Sequence, residues 1–107
     1  MSYLPAASVA ELIAGQPRAV QLSGISVLLC RDGDDVFAVE NRCSHLEVKL
    51  ERGMLAGRML TCLAHGARFD IASGACLGGP TKAPIRTYAV RIENGMVWVD
   101  VEQAQAD

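Results

Sequence analysis

A chain of 107 residues and 11.4 kDa has room for one domain with a modest core and not for two. Half of its residues are hydrophobic and 21% are charged, with 12 acidic against 10 basic for a formal net charge of −2, which excludes a disordered tail or a collagen-like repeat. The slight acidity, without any Lys/Arg run, argues against nucleic acid or an anionic membrane as partner, and the longest uncharged run, Ala19 to Cys30, is too short for the roughly 20 apolar residues of a membrane span.

In chain order, the first segment has no basic residue before Arg18, and Pro5 and Glu11 interrupt its apolar stretch, so no secretory signal is expected and the location reads as cytoplasmic. Ser8 to Ala14 is the one stretch with a helical signature: Ser8 as cap, Glu11 three residues later as a capping box, and an end near Gly15. Ser26–Arg31 and Asp35–Glu40 flank the turn signal Asp32-Gly33-Asp34, and Tyr88–Glu93 and Met96–Val101 flank Glu93-Asn94-Gly95. Short apolar runs around such turns predict an all-β protein of antiparallel hairpins. In Met96–Val101 the valines fall on one face, and Met96, Trp98 and Asp100 on the other. Trp98 reads as a core anchor.

Between the flanks the composition shifts. Residues 41–81 hold both histidines, three of the four cysteines and six of the ten glycines, with poor hydrophobic alternation. One domain is therefore expected over 1–107, with a strand scaffold of about 1–40 and 82–107 carrying a compact site-bearing insert at about 41–81.

The site candidates are Cys43-x-His45 and Cys62-x-x-His65. Each pair puts a soft sulfur and an imidazole nitrogen on one tight loop, so two loops can approach a metal centre from two sides. The order Cys-His then Cys-His differs from that of a zinc finger, where two cysteines precede two histidines. A structural zinc site on the same four residues stays open on this evidence. Cys30, after Val27-Leu28-Leu29, and Cys76, in Ala75-Cys76-Leu77, read as buried thiols.

Cys43-Ser44-His45-Leu46, Cys62-Leu63-Ala64-His65-Gly66 and Gly78-Gly79-Pro80 resemble the two cluster-binding boxes and the proline loop of Rieske 2Fe–2S proteins. The segments Asp35–Asn41, Leu50-Glu51-Arg52-Gly53 and Arg68-Phe69-Asp70 are similar to the small Rieske ferredoxins of bacterial ring-hydroxylating oxygenase systems, and the likeness runs from about residue 18 to 101. One departure is Leu63, where the family usually has proline.

The resemblance implies a Rieske fold, an antiparallel basal sandwich or barrel with an inserted cluster-binding subdomain. It implies one 2Fe–2S cluster, with Cys43 and Cys62 on one iron and His45 and His65 on the other. Two ferric ions, two sulfides and two thiolates sum to zero charge, so an added electron meets less repulsion than at a four-thiolate cluster; Rieske potentials span roughly −150 to +300 mV. The inter-loop disulfide of high-potential relatives is absent, because its positions fall at Val48 and Ala64. Their hydroxyl donors to cluster sulfur fall at Ala67 and Phe69, which predicts a low potential. Leu46, Leu63 and Pro80 are expected to cap the cluster, while Glu47, Lys49 and Glu51 read as a solvated face or a docking rim.

The function implied is one-electron carriage from a flavoprotein ferredoxin reductase to a terminal non-haem iron oxygenase, by a monomer that transforms no substrate itself. Two alternatives accompany it: a Rieske-like small subunit of an assimilatory nitrite reductase, and a non-redox zinc module.

Overall fold

The computed structural model describes residues 3–44, 48–64 and 66–104. The regular structure of the described chain is nearly all strand, in two antiparallel sheets. The larger has six strands: β1 (Leu4–Ser8), β2 (Arg18–Leu22), β3 (Ile25–Asp32), β4 (Asp35–Glu40), β9 (Thr87–Glu93) and β10 (Met96–Ala104), in the order β1-β10-β9-β4-β3-β2. The smaller holds β5 (Met54–Ala56), β6 (Met59–Thr61), β7 (Arg68–Asp70) and β8 (Cys76–Gly78) in chain order. Among the described residues no helix is long and apolar enough to cross a membrane.

The hairpins sit where the turn residues put them. Leu22 pairs with Ile25 and Glu93 with Met96, leaving two-residue loops, Ser23-Gly24 and Asn94-Gly95. Both residues of each loop have positive φ, the conformation whose twist matches that of the flanking strands.

Strand β3 explains the arrangement of the core. Its residues Val27 to Cys30 are all fully buried, a continuous run where a half-buried strand would alternate. Val27 and Leu29 enter one core, shared with Ala7, Leu12, Leu22, Val97 and Val99. Leu28 and Cys30 point the other way, into a second core with Val39, Leu50, Leu60, Phe69 and Ile71. The strand is thus a wall between the interior of the large sheet and the space under the small one. Burial pushes the Cys30 thiol up to about 12 from its ordinary 9.0. A raised thiol pKa favours folding fully below about 9, and that contribution declines as pH rises from there toward about 12. Cys30→Ala is accordingly expected to flatten the alkaline limb of a stability–pH curve measured by denaturant midpoints, and native Cys30 should resist iodoacetamide at pH 8.

Two further contacts join the sheets. Arg58, in the β5–β6 turn, pairs with Asp32 at 3.1 Å and Asp35 at 2.9 Å, and its guanidinium lies 4.9 Å from the Phe37 ring centroid. These groups are well exposed, so the pairs contribute about 0–1 kcal/mol each and serve alignment more than stability. Gly74, between β7 and β8, has φ +80, and a Cβ there would collide with the Ile85 carbonyl oxygen, while Ile85 N–H donates to the Gly74 carbonyl at 2.9 Å. Gly74→Ala should cost about 2–4 kcal/mol, combining the left-handed backbone penalty with displacement of Ile85, read as a lower urea midpoint at unchanged slope.

Two expectations need correction. Ser8–Ala14 is not a helix: Ser8 ends β1, and a single 3-10 turn, Val9–Glu11, follows. Arg31 is the reason. Its Nη1 donates to the carbonyls of Val9 at 3.1 Å and Leu12 at 3.0 Å, the groups that further helical turns would use. The local signal itself is present in part, since the Glu11 carboxylate accepts from both Ser8 N–H and Ser8 Oγ at 3.0 Å. In β10 the valines are buried as expected, but Trp98, on the opposite face, is only half-buried and anchors no core. Asp100 departs from that face's pattern and is fully buried, at a register shift in the β9–β10 pairing, with Oδ1 accepting the Glu102 N–H at 3.0 Å.

Candidate metal centre

Three loops lead into and out of the small sheet. The first follows β4 and contains Cys43; Cys43 N–H donates to the Val48 carbonyl at 2.8 Å, which draws the loop back on itself. The second joins β6 to β7 and contains Cys62. Cys62 N–H donates to Ala67 carbonyl at 2.7 Å, and Gly66 N–H returns to Cys62 carbonyl at 2.9 Å. Positive φ at Gly66, +79°, lets the chain turn back there. Leu63, which replaces the proline usual in the family, does not prevent this closure.

The third loop, Gly78-Gly79-Pro80, lies against the second. A Cβ at Gly79 would stand 2.6 Å from the Ala67 Cα, and φ there is +114°, so only glycine lets the two backbones approach this closely. Ser44 Oγ donates to the Ala83 carbonyl at 2.6 Å, tying the first loop to the third.

Cys43 and Cys62 are 3% and 2% exposed and share one hydrophobic core. Each buried thiol sits beside a closed backbone turn, which puts two soft donors in one core. His45 and His65, the two expected imidazole ligands, lie outside the described residues, as do Leu46 and Glu47. Among the described residues no three His, Cys, Asp or Glu side chains converge as a metal site, and the two thiols are the described half of the expected set. Ala67 and Phe69, at the positions of the missing hydroxyl donors, are both fully buried.

The expected caps Leu63 and Pro80 are exposed, Leu63 at 60%, and are not core residues. Cys76 is half-buried, with its Sγ 3.1 Å from the Thr81 carbonyl, and not the buried thiol its neighbours suggest. Lys49 and Glu51 are exposed.

Asn41 carries no sequence signal for what it does. It is 5% exposed, directly before the first loop. Its Oδ1 accepts from Leu50 N–H at 2.8 Å and Glu51 N–H at 3.0 Å. Its Nδ2 donates to the Glu51 carboxylate at 2.8 Å and to Ser26 Oγ at 3.0 Å. One side chain thereby fastens the exit of the Cys43 loop to the end of β4 and the start of β3. Its partners lie up to 15 residues away in the chain, beyond the reach of local pattern.

Known proteins agree with this arrangement. The Rieske [2Fe-2S] domain profile matches residues 2–89. A relative from Pseudomonas putida, the ferredoxin component of a naphthalene 1,2-dioxygenase system, is 30% identical over 101 residues, covering 94% of this chain and 97% of its own. Among solved structures, the ferredoxin of carbazole 1,9a-dioxygenase from Nocardioides aromaticivorans IC177 superposes with a TM-score of 0.88 at 33% identity, covering 92% of this chain and 97% of its own. A ferredoxin chain solved in complex with the reduced oxygenase of carbazole 1,9a-dioxygenase superposes with a TM-score of 0.85 at 28% identity, over 91% of each chain. With all-β sheets, loop-borne thiols and a domain match over most of its length, the chain belongs to the Rieske [2Fe-2S] domain family.

Proposed function

We propose that Cys43 and Cys62 hold one iron and His45 and His65 the other iron of a single 2Fe–2S cluster, and that the chain carries one electron at a time to a terminal ring-hydroxylating oxygenase. The observation that carries this reading is the pair of thiols buried in one core, each on a self-closed loop. The donor set fits the cofactor: thiolate sulfur suits iron, and the Gly79–Ala67 approach leaves the two loops packed with no side chain between their backbones. When bound, the cluster supplies a site that accepts and releases one electron without making or breaking a bond to substrate.

The chain's own residues do the rest. Leu60, Phe69, Ile71 and Ile85 exclude water from below, and Asn41, Ser44 and Gly79 hold the three loops in register. The carrier role is supported by likeness over nearly the full chain to ferredoxin components of aromatic dioxygenase systems and to a ferredoxin bound to its oxygenase. A flavoprotein ferredoxin reductase is the proposed electron source. The division into a basal part (1–40 and 82–107) and a cluster-binding subdomain (41–81) belongs to the same reading. Apolar Ala67 and Phe69 offer no hydroxyl to the reduced site, which supports a potential at the low end of the Rieske range, near −150 mV.

Iron and acid-labile sulfide in equal amounts, with the paramagnetic spectrum of a mixed-ligand 2Fe–2S centre after dithionite, is the expected result on purified protein. Zinc without sulfide would overturn the assignment, and a midpoint well above zero millivolts would overturn its low-potential part.

A further inference from the structure

Charge is distributed very unevenly along this chain. Residues 41–86 hold seven of the 10 basic residues and three of the 12 acidic ones, so seven positive less three negative leaves +4. The remainder holds three basic and nine acidic residues, or −6, which restores the net −2. The asymmetry is sharper in the loops around the thiols: residues 42–49, 62–68 and 78–83 contain Arg42, Lys49, Arg68 and Lys82 against Glu47 alone.

All four cations are exposed, and each is placed by a contact that organises the site. Arg42 adjoins Cys43 and leans on Glu40 at 3.9 Å, while Lys49 follows Val48, whose carbonyl takes the Cys43 N–H. Arg68 follows Ala67, and its guanidinium lies against Gly78, where any Cβ would collide with it. Lys82 lies between Thr81 and Ala83, whose carbonyls meet Cys76 Sγ and Ser44 Oγ. The same loops also expose apolar Leu63, Ala64 and Pro80. Exposed apolar residues among charged ones are the composition of a protein-docking patch.

We propose that this face is a cationic docking surface, fitted to a redox protein whose electron entry is ringed by carboxylates. The proposal rests on the reading that electrons leave through the loops bearing Cys43 and Cys62, and it adds the sign of the partner. Arg58 and Arg42 are paired with Asp32, Asp35 and Glu40 across that division, so the loop cations Lys49, Arg68 and Lys82 are the ones that draw an anionic partner loop-first during encounter. Such steering raises association rates and fades with salt, because the screening length falls to about 8 Å at physiological ionic strength. A partner with a basic face is drawn to the wrong end and rejected by geometry. Net charge alone predicts the reverse.

Small oxidants of opposite charge test this without a partner in hand. Dithionite-reduced holoprotein is mixed with ferricyanide, a trianion, or hexaammineruthenium(III), a trication; each takes one electron from the reduced cluster and becomes its own reduced complex. From about 20 to 300 mM salt the ferricyanide rate should fall about threefold or more while the ruthenium rate rises. Lys49→Glu/Lys82→Glu should slow ferricyanide several-fold at low salt and flatten its slope, while Arg91→Glu, on β9 of the large sheet, should leave both unchanged. An oligoglutamate peptide should slow ferricyanide at low salt and oligolysine should not. Ferricyanide accelerating with salt, as net charge dictates, or inhibition by oligolysine instead, would overturn the proposal. A chain lacking iron and sulfide never reaches this assay and counts against the site; a loaded chain with inverted slopes counts against the surface alone.

Discussion

Cys62→Ser is expected to abolish the visible absorbance of the protein and its electron transfer, leaving well under a tenth of the wild-type iron after anaerobic reconstitution. A serine hydroxyl keeps its proton at neutral pH and is a hard donor, so it does not replace a thiolate on iron. The change also reaches the fold. The second core contains both Cys43 and Cys62, and its small sheet consists of strands of only three residues each. Short strands of this kind are marginal without added constraint, and a metal that binds only the folded state adds its binding energy to folding. The first core, built from Ala7, Leu12, Leu22, Val27, Leu29, Val97 and Val99, includes neither cysteine. Hydrogen exchange should therefore show amides of β5 to β8 losing protection in Cys62→Ser while those of β9, β10 and the interior-facing part of β3 keep it. Uniform loss across both sheets would mean that the two cores are not separable units.

Asn41→Leu should produce the second-largest effect. The substitution keeps the branched shape of the side chain but leaves the buried Leu50 N–H and the neighbouring Glu51 N–H without an acceptor. Each unsatisfied donor costs about 1–3 kcal/mol, so a loss of about 2–5 kcal/mol is expected. For a chain of this size that lowers Tm by about 10–25 °C. The first loop, freed at its exit, should also retain the cluster less well, seen as faster bleaching of the visible bands in chelator. Asn41→Asp restores the acceptor but sets a second carboxylate against Glu51, now without the 2.8 Å amide bond. Its Tm should fall between those of wild type and Asn41→Leu, because the acceptor returns while the two carboxylates repel. Equal melting of all three proteins would show that the Asn41 network does not hold the loop.

The hairpins were legible because their information is local. Asn94-Gly95 and Gly33 are residues that tolerate positive φ, and the strands on either side are long enough to display their pattern. The Ser8–Glu11 signal was equally local and still misled, since an arginine 20 residues further on takes the carbonyls that a helix would need. Sequence periodicity contains nothing about such a competitor. Trp98 shows a related limit: alternation places it opposite the valines, but what covers that face depends on strands far away in the chain.

At the site, thiol spacing identified two loops, and both thiols lie in one buried core. What closes those loops was not legible. Asn41, Ser44 and Gly79 act through partners 9, 39 and 12 residues distant, and an asparagine, a serine and a glycine are too common in loops to announce such roles. Arg68 likewise looks like an ordinary surface cation until the fold sets its guanidinium against Gly78.

Strand β3 being buried on both sides has a consequence for the redox step itself. A charge arriving at the loops repolarises its surroundings, and the rate of transfer depends on how far those surroundings must relax. Residues Leu28 and Cys30 support the loops from a strand whose alternate residues, Val27 and Leu29, are locked in a different core. Close-packed interiors are scarcely compressible, so the floor of the site cannot shift without deforming two cores at once. The protein around the site should therefore differ little between the two oxidation states, giving this carrier a small outer reorganisation energy and fast electron self-exchange.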